Sequence, residues 1–145
     1  MRARPHHLID IITQYGAGSP FEPCSYGHAV HTVAAEVIAN PDVLIEFGIG
    51  ADDICAPCVH LVNGRCDDLI RCFDPPVSKH EYNDDLDQRV LRFLGMQEGE
   101  VMTFRQYTQV LRGHLDGLAE LCSHPGEEPQ EKHQKLAQGL EKLGA

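Results

Sequence analysis

Residues 55–66 read Cys-Ala-Pro-Cys-Val-His-Leu-Val-Asn-Gly-Arg-Cys, and the reading of this stretch decides the fold around it. A Cys-x2-Cys pair sets two thiols on one side of a tight turn, where they can share a metal. Gly64 turns the chain, so Cys66 brings back a third thiol. The flanks, residues 50–82, carry little apolar periodicity and hold Gly50, Pro57, Gly64, Pro75, Pro76 and four of the six cysteines. A segment this long without secondary structure is unusual in a compact domain. The expectation is a loop organised by bound metal.

Around the loop the pattern is helical. Pro5 fits a helix first turn. Leu8, Ile11, Ile12 and Tyr15 follow at helical spacing and Gly16 closes the run. Val30, Val33, Ala34, Val37 and Ile38 form a second apolar stripe that Asn40-Pro41 stops. Val43 to Ile49 alternates as a strand. Leu86, Val90, Phe93 and Leu94 form a stripe ended by Gly95. Thr103 and Gln106 form a capping box that opens a helix striped by Phe104, Tyr107, Leu111, Leu115, Leu118 and Cys122. Leu136, Leu140 and Leu143 mark a last helix, with Gly139 as its weak point. The expected fold is mainly α, or small α+β: one compact helical domain over residues 1–145 with a short strand region and the Cys-rich loop 50–82.

With 42% apolar residues in 145, one core can be built. Lys and Arg number 12 against 22 Asp and Glu, a formal charge of −10. That argues against nucleic acid or an anionic membrane as partner, since both require a basic face. No apolar run approaches a membrane span, and the basic N-terminus lacks the apolar core of a signal peptide. The expected location is the cytoplasm. There, six cysteines point to metal or redox chemistry rather than disulfides.

The spacing is neither that of a zinc ribbon, with its two Cys-x2-Cys pairs, nor the run of a small ferredoxin. Cys55, Cys58 and Cys66 are read as ligands acting together. Cys122, at the inner edge of its helix stripe, is preferred to Cys72 as the fourth. Cys24 reads as a small buried hydrophobe, as does Cys72 if it is not a ligand. His60 or His124 could replace a thiol if the metal is zinc. His6 and His7 point about 100° apart on a helix, so one faces a site and the other solvent. Arg2 and Arg4 beside them would form a cationic spot for an anionic ligand, which makes His6, His7 and Arg4 candidate cofactor-binding residues. His28 and His31 read as a solvated helix face. Asp52 and Asp53 read as caps that shape the ligand loop.

The Arg2-Ala-Arg4-Pro5-His6-His7-Leu8, Gly50-Ala-Asp-Asp53-Ile54-Cys55-Ala-Pro-Cys58 and Asp87-Gln-Arg-Val-Leu-Arg-Phe-Leu-Gly95 elements, with Cys66, come in the order seen in a small prokaryotic family. The chain resembles that family, catalogued as domain of unknown function 1284. The resemblance implies only that an iron–sulfur cluster is suspected. Members often carry a cysteine where Asp10 stands, and a second Cys-x-x-Cys where this chain has Cys122-Ser-His124. One cluster on Cys55, Cys58, Cys66 and Cys122 is the simplest set. Three readings follow. The first is a small iron–sulfur protein, with a 4Fe–4S cluster, that transfers electrons to a protein partner or assists a partner enzyme. The second is a structural zinc module for protein–protein interaction. The third is a small metalloenzyme using His6 or His7 near an open iron site.

Overall fold

The computed structural model describes residues 1–145 and is mainly α, with six helices and several very short strands. In chain order these are β1 (Arg2–Ala3), α1 (Pro5–Gly16), α2 (Val30–Ala39) and β2 (Leu44–Phe47). Then come β3 (Leu61–Val62), β4 (Arg65–Cys66), β5 (Leu69–Ile70), β6 (Val77–Ser78), α3 (Lys79–Leu94) and β7 (Val101–Thr103). The chain ends with α4 (Phe104–Gly113), α5 (Leu118–Cys122) and α6 (Pro129–Lys142). No helix is long and apolar enough to cross a membrane.

The N-terminal half follows the sequence closely. Pro5 opens α1, whose Leu8, Ile9, Ile11 and Ile12 are buried. In β2, Ile45 and Phe47 are buried while Leu44 and Glu46 face out, the alternation of a half-buried strand. The Thr103 and Gln106 side chains cap α4 reciprocally. The core gathers α1, α2, α3, α4 and α6 around Phe47, Phe104 and Tyr107. The Tyr107 hydroxyl donates to the Pro5 carbonyl at 3.0 Å, which ties α4 to the start of α1.

Three expectations are corrected. The strand region is not single. β2 lies between β1, parallel to it, and β7, antiparallel, and two hairpins, β3–β4 and β5–β6, stand apart from that sheet. Residues 50–82 are therefore not without regular structure, and α3 begins inside them at Lys79. Strands of two residues are too short to show alternation; the legible sign was Asn63-Gly64, both at positive φ, the pair favoured in two-residue hairpin turns. The helix expected through Cys122 is broken after Gly113, and α5 restarts from Gly117 at φ 84°. Cys122 is buried all the same, because α5 packs on α3 and α6. Finally, Gly139 is no weak point. It is buried where α6 crosses α1, facing Ile12 and Gly16.

Candidate metal centre

A cavity of about 490 Å³ opens between the start of α1, the Cys-rich segment, the first turns of α3 and the end of α5. Cys55, Cys58, Cys66 and Cys122 all line it, as do Arg4, His6 and His7. The seven residues singled out from the sequence thus meet in one place. Cys24 is half-buried, as is compatible with its reading as a packing residue, and lies outside the cavity wall. Cys72 is exposed, which rules out its reading as a buried hydrophobe; its Sγ lies 3.6 Å from Nδ1 of His124.

The loop that carries Cys55, Cys58 and Cys66 is shaped in two steps. Asp52 turns it first. Its Oδ1 accepts from the backbone N–H groups of Ile54 and Cys55, both at 3.1 Å, the capping expected of it. The Cys58 N–H then donates to the Cys55 carbonyl at 2.9 Å and closes the Cys-x2-Cys turn. The β3–β4 hairpin pairs Leu61 with Cys66 and so carries the third thiol back toward the first two. The loop is pinned to the body by bonds from Asp53 N–H to the Arg2 carbonyl at 3.1 Å and from Ala29 N–H to the Ile54 carbonyl at 2.9 Å.

The start of α1 is held by two buried carboxylates from elsewhere in the chain. Asp52 Oδ2 accepts from the Arg4 N–H at 2.7 Å and lies 2.8 Å from His7 Nδ1. Asp87 Oδ1 accepts from the His6 N–H at 3.0 Å and lies 2.8 Å from His6 Nδ1. Its Oδ2 pairs with Arg4 Nη1 at 2.8 Å, while Arg4 Nη2 lies 2.8 Å from Asp84. Burial alone would raise both aspartates. Hydrogen bonding, to His7 and backbone N–H groups at Asp52 and to His6 and Arg4 at Asp87, outweighs it and holds both below the usual carboxylate range.

This arrangement corrects two expectations. His6 and His7 do not divide between site and solvent: both line the cavity, with ring centroids 4.4 Å apart. The 100° between them is absorbed because each ring has its own carboxylate to turn toward. Nor do Arg2 and Arg4 form a free cationic spot. Arg4 is 2% exposed and shared between two carboxylates, and Arg2 bonds the Ile49 carbonyl. Arg4 therefore builds the wall of the cavity.

Of the lining thiols Cys122 is buried and Cys55, Cys58 and Cys66 are half-buried. Burial, with the Asp52 charge adding to it, pushes the Cys55 thiol up to about 11. Burial pushes Cys122 up to about 12, against the attraction of Lys132. Both are protonated at neutral pH, and a metal would bind by displacing their protons. His7, Asp52 and Cys55 each place a donor atom within 4.8 Å of the others. Every Asp52 oxygen in that group is already taken by N–H groups, so Asp52 supports the other two.

Sequence reasoning passed over several residues that line or support the cavity. Asp87 shares a helix stripe with Val90 and Leu94, and Lys132 with Leu136 and Leu140; a charge on an apolar stripe was the available sign. His28 precedes α2, lines the cavity and is not part of a solvated helix face. The sequence marked it only as the i, i+3 partner of His31 on one helix, a placement that the start of α2 at Val30 removes.

These features define a small, mainly helical protein with a cavity lined by cysteines and histidines. The model of the domain of unknown function 1284 matches residues 25–125, and the chain belongs to that family. The matched segment contains the four lining cysteines, Asp52 and Asp87; Arg4, His6 and His7 precede it. No curated protein and no solved structure matches the chain.

Proposed function

We propose that this protein binds an iron–sulfur cluster, most simply 4Fe–4S, through Cys55, Cys58, Cys66 and Cys122, and passes electrons to a protein partner or assists a partner enzyme. The observation that carries the reading is that these four thiols line one cavity, three from one loop and hairpin and one from a buried helix end. Four thiols are the donor set of such clusters, and several irons tolerate scattered cysteines. The cavity has room for more than a single ion. Exposed Tyr26, Val59, Val62 and Leu69 lie on or beside the ligand loop and favour a protein partner there. The −10 formal charge disfavours nucleic acid and anionic membranes, and a cytoplasmic setting suits the free thiols.

The test is the visible spectrum of protein purified without oxygen, with iron and acid-labile sulfide quantified. Cys58→Ser and Cys122→Ser should lose the absorption, and Cys24→Ser and Cys72→Ser should keep it. Wild-type protein without iron or sulfide would overturn the reading.

A structural zinc site has one observation in its favour. The closed Cys55–Cys58 turn and the hairpin that returns Cys66 keep three thiols on one short segment, the arrangement of loop-borne ligands in structural zinc sites. A colourless protein with one stoichiometric zinc would establish it.

A further inference from the structure

We infer that His6 and His7 form a second metal site, a paired nitrogen-donor seat for a divalent transition metal ion, distinct from the cysteine set. The observation is the way the two rings are held. Each Nδ1 lies 2.8 Å from a buried carboxylate, Asp87 for His6 and Asp52 for His7. Each of those carboxylates also accepts a backbone N–H from the same short segment, Asp87 from His6 and Asp52 from Arg4. An ionised carboxylate only accepts, so Nδ1 carries the proton on both rings. On the neutral ring the lone pair then lies on Nε2.

Neither Nε2 hydrogen-bonds a protein group, and neither is among the sealed, unpartnered atoms of the structure. Both rings line the same cavity with centroids 4.4 Å apart. Two rings thus border one space, each held at Nδ1 by an acid. A carboxylate on the far nitrogen is the usual support of a metal-bound imidazole; it fixes the tautomer and raises the ring's basicity. Asp87 already has Arg4 as its counter-ion at 2.8 Å, and Asp52 is satisfied by three backbone N–H groups. Imidazole nitrogens suit zinc, iron, nickel and copper rather than magnesium or calcium. Two protein nitrogens leave the remaining positions to water or a small ligand from the cavity, with the Cys55 thiol within 4.8 Å of a His7 nitrogen. Such an open position is the mark of a reactive rather than a structural ion.

The test uses the full chain as isolated, with Zn²⁺ as probe. Crystals soaked in Zn²⁺ and measured on both sides of the zinc edge should show an anomalous peak at roughly 2.0–2.1 Å from both Nε2 atoms. Calorimetry on His7→Gln should show binding at this seat weakened roughly 10- to 100-fold, with iron and sulfide unchanged. Zinc found only at the cysteines, or equal affinity in wild type and His7→Gln, would overturn the inference. If the variant does not fold, the wild-type map still decides. Iron content at the cysteines reads the cluster proposal separately, so the two can fail independently.

Discussion

Gly139 in α6 sits directly against the backbone carbonyl of Ile12 in α1, so that a Cβ at residue 139 would overlap it. Gly16 makes the reciprocal approach to the Lys135 carbonyl. The pair of glycines lets α1 and α6 touch backbone to backbone, which seats the helix that carries His6 and His7.

Gly139→Ala is therefore expected to destabilise the fold, although alanine is the better helix former by about 1 kcal/mol. Overpacking against backbone costs on the order of 1–3 kcal/mol, and a carbonyl cannot turn aside as a side chain would. Chemical denaturation of the two proteins checks this; an unchanged or higher midpoint would show that the helices can separate freely.

What could be read from the sequence divides along the same line. Local signals were legible: Pro5 opening α1, the alternation of Ile45 and Phe47, the Thr103–Gln106 box. So was the grouping of Cys55, Cys58 and Cys66 at one cavity, because their spacing is local. What escaped depends on residues far apart in sequence. Gly139 has meaning only against Ile12, and Asp87 only against Arg4 and His6, 83 and 81 positions away. No periodicity in one segment records the close approach of another.

Asp87 is fully buried and compensated by Arg4 and His6, so removing its charge should be severe. Asp87→Asn leaves the Arg4 guanidinium with Asp84 alone and is expected to cost roughly 3–5 kcal/mol. The pH dependence has a definite sign. Asp87 and Asp52 titrate lower in the folded chain than the ordinary value of 3.8, so the unfolded chain binds protons first as the medium is acidified. Their stabilisation is complete above the unfolded value and is lost as pH falls from there toward the depressed folded values. Unfolding free energy measured from neutral to acid pH should decline below about 4. Asp87→Asn should flatten that decline; an identical slope in wild type and variant would contradict the assignment.

The β3–β4 turn offers a separate handle on the thiols. Asn63 and Gly64 lie at φ 52° and 79°, a left-handed pair that glycine and asparagine tolerate best. Gly64→Ala should strain the turn by about 1–2 kcal/mol and loosen the register that sets Leu61 opposite Cys66. Asn63→Gly should be tolerated. Metal retained after dialysis against a chelator should fall in Gly64→Ala and hold in Asn63→Gly, and equal retention would show that the hairpin does not position Cys66.

The ligand loop should be stable only in part without metal. Asp52 to Cys55 is anchored by the Asp52 carboxylate and by backbone bonds to Arg2 and Ala29. Beyond Cys55 the support thins. Val59 bonds Tyr26, and the β3–β4 hairpin adds to its ladder of two residue pairs only a ring contact between His60 and Tyr26, the bonds of His60 with Asp67 and a slight contact with α3. Isolated two-stranded hairpins are marginal in water. Apolar packing adds little here, because Val59 and Val62 are exposed. Binding at Cys55, Cys58 and Cys66 would supply what packing does not, since metal binding free energy acts as folding free energy. Hydrogen exchange on metal-loaded and chelated protein should then show residues 56–66 losing protection while 52–55 keep theirs. Equal protection of 56–66 in both states would mean that the polypeptide alone orders the loop, and that its thiols are carried on a preformed frame.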